Sequence, residues 1–168
     1  AIPFPGATHS RFLHSIGSME LAGRAFDSIF RDDPFSHPSV GRRLRRVVRL
    51  AALCHDLGHG PFSHAAEFAM PPLADLGIKV YDPKKPLGTH GVQASHEDYT
   101  VAILTNSTMA KAIADNFAFT GRHVAAIINP AVVVDDDFFR DNGFDLRPNL
   151  SQLISANLDV DRMDYLVR

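Results

Sequence analysis

Two stripes at helical spacing run from Val40 to Asp56, and the apolar one ends on a histidine. Leu44, Val47, Val48 and Ala51 make one face and Arg42, Arg45, Arg46 and Arg49 another, which predicts an amphipathic helix buried along one side. The arginine face reads as solvated surface rather than as a phosphate-binding patch. His55 continues the apolar stripe from Val48 and Ala51, and Asp56 follows it directly. An imidazole and a carboxylate aimed into a core are costly to bury unless something pairs with them. A divalent metal satisfies both groups. For one such pair, a hydrogen-bonded core histidine is the simpler account.

The remaining pattern is helical. Phe12, Ile16, Met19, Gly23, Phe26 and Phe30 recur at helical spacing from Arg11 to about Phe30. Gly58, Gly60 and Pro61 interrupt the pattern after Asp56, and a short helix is expected from Phe62 to about Met70. Residues 71–94 carry Pro71, Pro72, Pro83 and Pro86 with Gly77, Gly88 and Gly91, and read as a long loop. Ser95 and Asp98 form a capping box ahead of a helix reaching about Leu104. Shorter helices follow around 109–118 and 121–129, then a short strand over Ala131–Val134 and a solvated acidic turn over Asp135–Asp137. A last helix is expected from near Asn149 to the chain end. The expectation is an all-α fold in one domain, which suits 168 residues.

The far end changes the weight of the His55-Asp56 pair. Leu150, Leu153, Ile154, Asn157, Leu158, Asp161 and Tyr165 follow one stripe, which puts Asp161 on the buried face and Asp159 and Asp164 off it. A metal would hold such a carboxylate charged, whereas isolation would neutralise it. His14 is a third candidate by periodicity, with a partly exposed helix histidine as the plainer alternative. Nine histidines against three tyrosines and no tryptophan give these positions weight, because histidine is the commonest metal ligand.

These residues resemble a family. His14, His55-Asp56 and Asp161 match the H…HD…D signature of HD-superfamily metal phosphohydrolases. Phe4–Ser15, His55–His64 and Leu158–Tyr165, in that order, resemble the deoxynucleoside triphosphate triphosphohydrolases. His59 stands where cyclic-di-GMP phosphodiesterases carry a lysine, and the acidic pair of the guanosine-tetraphosphate hydrolases is absent. The resemblance implies an HD-domain helical bundle and one divalent ion (iron, manganese, cobalt, nickel, zinc or magnesium) on His14, His55, Asp56 and Asp161. It makes His64 and Glu67 the catalytic pair, and puts His59 beside the phosphates with His96 as a further active-site histidine. His90 competes with His96 for that role, and His96 is preferred. Arg11, Arg162 and Tyr165 match positions that hold the triphosphate or the sugar. The implied reaction attacks the α-phosphate and releases a deoxynucleoside and intact triphosphate. The alternatives are hydrolysis of nucleoside monophosphates or other small phosphoesters, and a non-catalytic nucleotide- or metal-binding sensor.

Partners and compartment follow from the same reading. The expected partner is a nucleotide, and a net charge of −2 gives no global reason to expect nucleic acid. No apolar run reaches the roughly 20 residues that cross a bilayer, so no membrane partner is expected. A homo-oligomer is compatible with the resemblance, since longer members make oligomer contacts through later segments. The single cysteine, Cys54, excludes an intramolecular disulfide and fits a reducing cytoplasm. An opening on Ala1-Ile2-Pro3 and an end at Arg168 suggest a fragment or processed core of a longer chain.

Overall fold

The computed structural model describes residues 10–82, 93–134, 137–155 and 159–167, without the side chains of Ala66, Tyr165 and Val167. The architecture is helical. It comprises α1 (Arg11–Ile29), α2 (Pro38–Cys54), α3 (His96–Asn106), α4 (Thr108–Asn116), α5 (Gly121–Ile128), α6 (Arg147–Gln152) and α7 (Val160–Val167), with one small hairpin. α2 is the central element, packed between α1 and α5, while α7 lies on α1 and α3 on α5. Leu44, Val47, Val48 and Ala51 of α2 are fully buried and meet Val101 and Leu104 of α3, Val124 and Ile127 of α5, and Leu150 of α6. Each buried valine or leucine contributes about 1.5–3 kcal/mol, so the apolar stripe of α2 anchors the fold.

Capping chemistry sets the helix starts. Ser10 Oγ accepts from the Leu13 amide at the head of α1, and Pro38 occupies the first turn of α2. The Ser95–Asp98 capping box forms as the sequence predicts. The 62–70 segment is a run of 3-10 turns, Ser63–Ala69, rather than an α-helix.

Two expectations are corrected. On α1 the inward face is His14, Ser18, Ala22, Gly23 and Phe26, whereas Phe12 is 70% exposed and Ile16 38%. Small residues let α1 approach α2 closely, so size rather than apolarity selects the face. The arginine face of α2 stays at the surface, as expected, with Arg42 and Arg46 exposed and two of its arginines near acids of α1. Arg45 makes a bidentate pair with Asp27 of α1 at 2.6 and 2.7 Å, and Arg49 Nη2 lies 3.7 Å from Glu20 Oε2. Finally, the last helix is two helices: α6 ends at Gln152 and α7 begins at Val160. The break resets the helical phase, so Asp159 and Asp164 are buried, against the sequence expectation.

The expected strand at 131–134 is reduced to an isolated bridge between Val132 and Tyr81. The hairpin pairs Arg140–Asp141 with Phe144–Asp145 around Asn142-Gly143, whose φ values of 48° and 81° give the doubly left-handed turn that Asn-Gly favours. Asp135, Asp136 and much of the 71–94 loop, His90 included, lie outside the described residues. No helix among the described residues is long and apolar enough to cross a membrane.

Candidate metal centre and active site

The first turn of α1, the end of α2 and the first turn of α7 meet at one point. His14 comes inward because it shares the buried face with Ser18 and Ala22. His55 follows the last turn of α2, where its Nδ1 donates to the Ala52 carbonyl at 2.7 Å. That bond places a proton on Nδ1 and turns Nε2 toward the carboxylates of Asp56 and Asp161. His55 Nε2 is buried and makes no hydrogen bond, although Asp56 Oδ1 and Asp161 Oδ1 stand at 3.3 and 3.5 Å. Asp161 Oδ1 also sits 2.7 Å from His14 Nε2. One ligand atom each from His14, His55 and Asp161 lies within 4.8 Å of the other two. A buried orphan nitrogen converging with a second imidazole and a carboxylate is a donor set suited to a borderline divalent cation.

Asp56 stands at the edge of this triad. Its Oδ2 takes Arg11 Nη1 at 2.6 Å, and its Oδ1 faces both His55 Nε2 and, at 3.5 Å, His59 Nε2. Arg11 reaches on to Ser63 Oγ at 2.7 Å. That contact ties α1 to a strained turn, because Phe62 and Ser63 are both left-handed at φ 68° and 53°. Such conformations cost about 1–3 kcal/mol each and persist where surrounding contacts over-determine them.

A second cluster lies beside the first. Glu67 Oε1 meets His64 Nδ1 at 3.1 Å and also contacts His96 Nδ1. The His59 and His96 rings stack 3.9 Å apart and nearly parallel at 8°, with His64 edge-on to both. His96 lies in this cluster, and His90, its competitor in the sequence, lies outside the described residues. Both clusters open into one polar cleft of about 210 Å³, lined by His55, Asp56, His59, His64, His96 and Asp161 among others.

The electrostatics follow from these contacts. Hydrogen bonds donated to Asp161 and, secondarily, to Asp164 hold the His14 imidazole up at about 9 despite its burial. Asp161 is held well below the usual carboxylate range, first by His14 and then by His55. Burial, reinforced by repulsion from His96, pushes His59 down to about 4, so it is neutral at pH 7. Burial raises Glu97, another wall of the cleft, above an ordinary glutamate.

Of two further residues expected at the site, one stands apart and one has no described side chain. Arg162 is exposed on α7, where its amide binds Asp159 Oδ1 at 2.9 Å, and it does not line the cleft. The Tyr165 side chain lies outside the described residues. Two others join the site without being expected there. Asp164 Oδ2 faces His14 Nδ1 at 2.9 Å, both groups buried. Thr100 Oγ1 donates to the His55 carbonyl at 3.1 Å and accepts the Gly58 amide at 2.9 Å. Helical phase carried from Leu150 turns Asp164 outward, so periodicity misses the first. Nothing in the sequence signals the second.

A helical bundle gathers His14, His55-Asp56 and Asp161 from three distant segments, and His14, His55 and Asp161 form a group that could hold a metal ion. Residues 11–168 match the HD domain, and the chain belongs to that family. Over 64 residues it is 55% identical to the deoxynucleoside triphosphate triphosphohydrolase SAMHD1 homolog of Dictyostelium discoideum, covering 38% of this chain and 12% of that protein. It is 30% identical to human deoxynucleoside triphosphate triphosphohydrolase SAMHD1 over 181 residues, 98% of this chain and 26% of the human protein. The Bacillus subtilis protein YwfO is 32% identical over 171 residues, 99% of this chain and 30% of YwfO. The chain therefore spans less than a third of the length of these relatives.

Proposed function

We propose that this chain is the catalytic core of a metal-dependent phosphohydrolase that converts deoxynucleoside triphosphates to deoxynucleosides and triphosphate. The observation that carries the reading is the placement of two clusters in one cleft, a His-His-Asp donor set and a Glu-bridged trio of histidines. The match to human SAMHD1 over 98% of this chain and 26% of the human protein supports the substrate class. We assign His14, His55, Asp56 and Asp161 as the residues that would hold a divalent metal, which supplies Lewis acidity toward a phosphate oxygen and a bound water.

The chain's own groups then divide the work. Glu67 orients His64 through Nδ1 at 3.1 Å, leaving Nε2 to move a proton at the attacking water or the leaving oxygen. His59, neutral at pH 7, and the His96 ring stacked on it line the cleft wall and donate to phosphoryl oxygens. Arg11 clamps the polyphosphate, a role the planar guanidinium serves better than an ammonium; Arg162 and Tyr165 would contact triphosphate or sugar. The cleft is smaller than the roughly 300–1,000 Å³ that enclose drug-sized ligands, and its polar walls suit a phosphate chain rather than a whole nucleotide. The buried single thiol of Cys54 supports a cytoplasmic setting.

The test is incubation of metal-loaded protein with each deoxynucleoside triphosphate, with products resolved by ion exchange. Deoxynucleoside and intact triphosphate are expected. Stepwise release of single phosphates, or turnover of monophosphates alone, would move the activity to another phosphoester. Stable nucleotide binding without turnover under any divalent metal would make the chain a sensor module.

A further inference from the structure

His59, His64, Glu67 and His96 are all groups that ligate transition metals, and none belongs to the His14–His55–Asp161 donor set. One ligand atom from each lies within 4.8 Å of every other. Four donors around a tetrahedral zinc, each about 2.0–2.1 Å from the ion, stand about 3.4 Å from one another. The widest pair therefore has at most about 1.4 Å to close, and Glu67 already lies within ligand spacing of His64 and His96. The His64 side chain is 69% exposed and the Glu67 side chain 29%, which leaves both room to close in. Glu67 already draws two imidazoles to a single oxygen, and the parallel His59 and His96 rings bring their edges side by side. Three imidazoles with one carboxylate favour zinc and other borderline cations over magnesium or calcium, which prefer all-oxygen shells.

We propose that this cluster is a second transition-metal site, separate from the first, and that it takes zinc(II). The consequence for activity rests on the catalytic roles proposed above; the binding itself does not. With zinc on these four residues His64 can no longer move a proton and His59 and His96 can no longer donate to phosphate. Excess zinc therefore inhibits a protein whose first site is already filled.

The experiment is equilibrium dialysis of chelator-stripped protein against micromolar zinc, with bound metal counted by elemental analysis and folding followed by circular dichroism. The parent protein is expected to hold two equivalents. His96→Ala and Glu67→Gln should each lose one, as should His64→Asn, whose exposed position keeps the fold safe. Asp161→Ala should lose the other equivalent and retain the second. A parent that saturates at one equivalent overturns the proposal, as do two equivalents persisting in folded His64→Asn and His96→Ala. Full occupancy in Asp161→Ala together with a one-equivalent loss in His96→Ala would refute the first-site assignment and uphold the second site.

Discussion

Gly58→Ala is expected to damage both stability and the metal centre, while Gly60→Ala, two residues away, leaves both intact. A Cβ at Gly58 would stand 1.9 Å from the His96 carbonyl oxygen, 2.6 Å from the Thr100 amide nitrogen and 2.8 Å from Tyr99 Cβ. Two of the three are backbone atoms of α3, so no rotamer change relieves the overlap. Ordinary contact begins at 3.4 Å, which requires α3 to retreat by roughly 1.5 Å. Overpacking of this kind costs about 1–3 kcal/mol. The retreat also pulls Thr100 away from the Gly58 amide and the His55 carbonyl, two hydrogen bonds worth about 0.5–1.5 kcal/mol each. The sum is about 2–6 kcal/mol. At about 2–4 °C per kcal/mol for a domain of this size, the melting temperature falls by roughly 4–24 °C. The Thr100 hydroxyl also steadies the backbone of His55, so metal affinity should fall with the retreat of α3. Around Gly60 nothing lies within 4 Å of an added Cβ, and its backbone is not left-handed, so alanine there stays within about 1 kcal/mol. Thermal melts by circular dichroism, with and without manganese, read both effects. A Gly58→Ala protein melting within about 2 °C of the parent, with unchanged manganese affinity, would refute the reasoning.

Three further outcomes follow from the same geometry. Asp164→Asn keeps the shape beside His14 but removes the carboxylate, and should weaken metal binding about 10–100-fold in a calorimetric titration with the fold retained; unchanged affinity would remove Asp164 as a positioning residue. His14, raised to about 9, adds stability to metal-free protein that is fully present below its unfolded pKa and is lost as pH climbs from about 6.5 through 9. His59, lowered to about 4, gives the opposite limb, with stability lost as pH falls from about 6.5 to 4. Metal-free melting temperature should therefore peak near neutrality, and metal, which displaces the His14 proton, should flatten the alkaline limb. A metal-free melting temperature that rises between pH 7 and 9 would contradict this. Cys54, 1% exposed and pushed up by burial to about 12, should resist alkylation at pH 8 until the protein is denatured, and rapid modification of native protein would refute its placement.

The legible part of the fold is the part written in strong periodicity. α2 carries a continuous apolar stripe, and the structure buries that stripe. Apolarity misleads on α1, whose inward face is chosen by the small Ser18, Ala22 and Gly23, which permit close approach to α2. The hairpin at Arg140–Asp145 does carry a local signal, since Asn142-Gly143 marks a two-residue turn by itself, but strands of two residues are too short to show any alternation.

In the site, motif and periodicity carry different weight. Extending one helical phase from Leu150 through Tyr165 reaches Asp161 across the non-helical residues 153–155 and 159, so that inference has no geometric basis. What brings Asp161 to His14 is α7, a separate helix lying along α1, and α7 turns Val160 and Asp164 inward together. The same register explains the division of labour between two acids three residues apart. Asp161, with its side chain 39% exposed to the cleft, faces the donor nitrogens, and buried Asp164 backs the far nitrogen of His14. A carboxylate in the cleft can exchange a proton-bearing imidazole for a cation, whereas the buried one is placed only to orient the ring. Loss of the first should abolish binding and loss of the second should only weaken it, although helical phase alone puts Asp161 inward and Asp164 out.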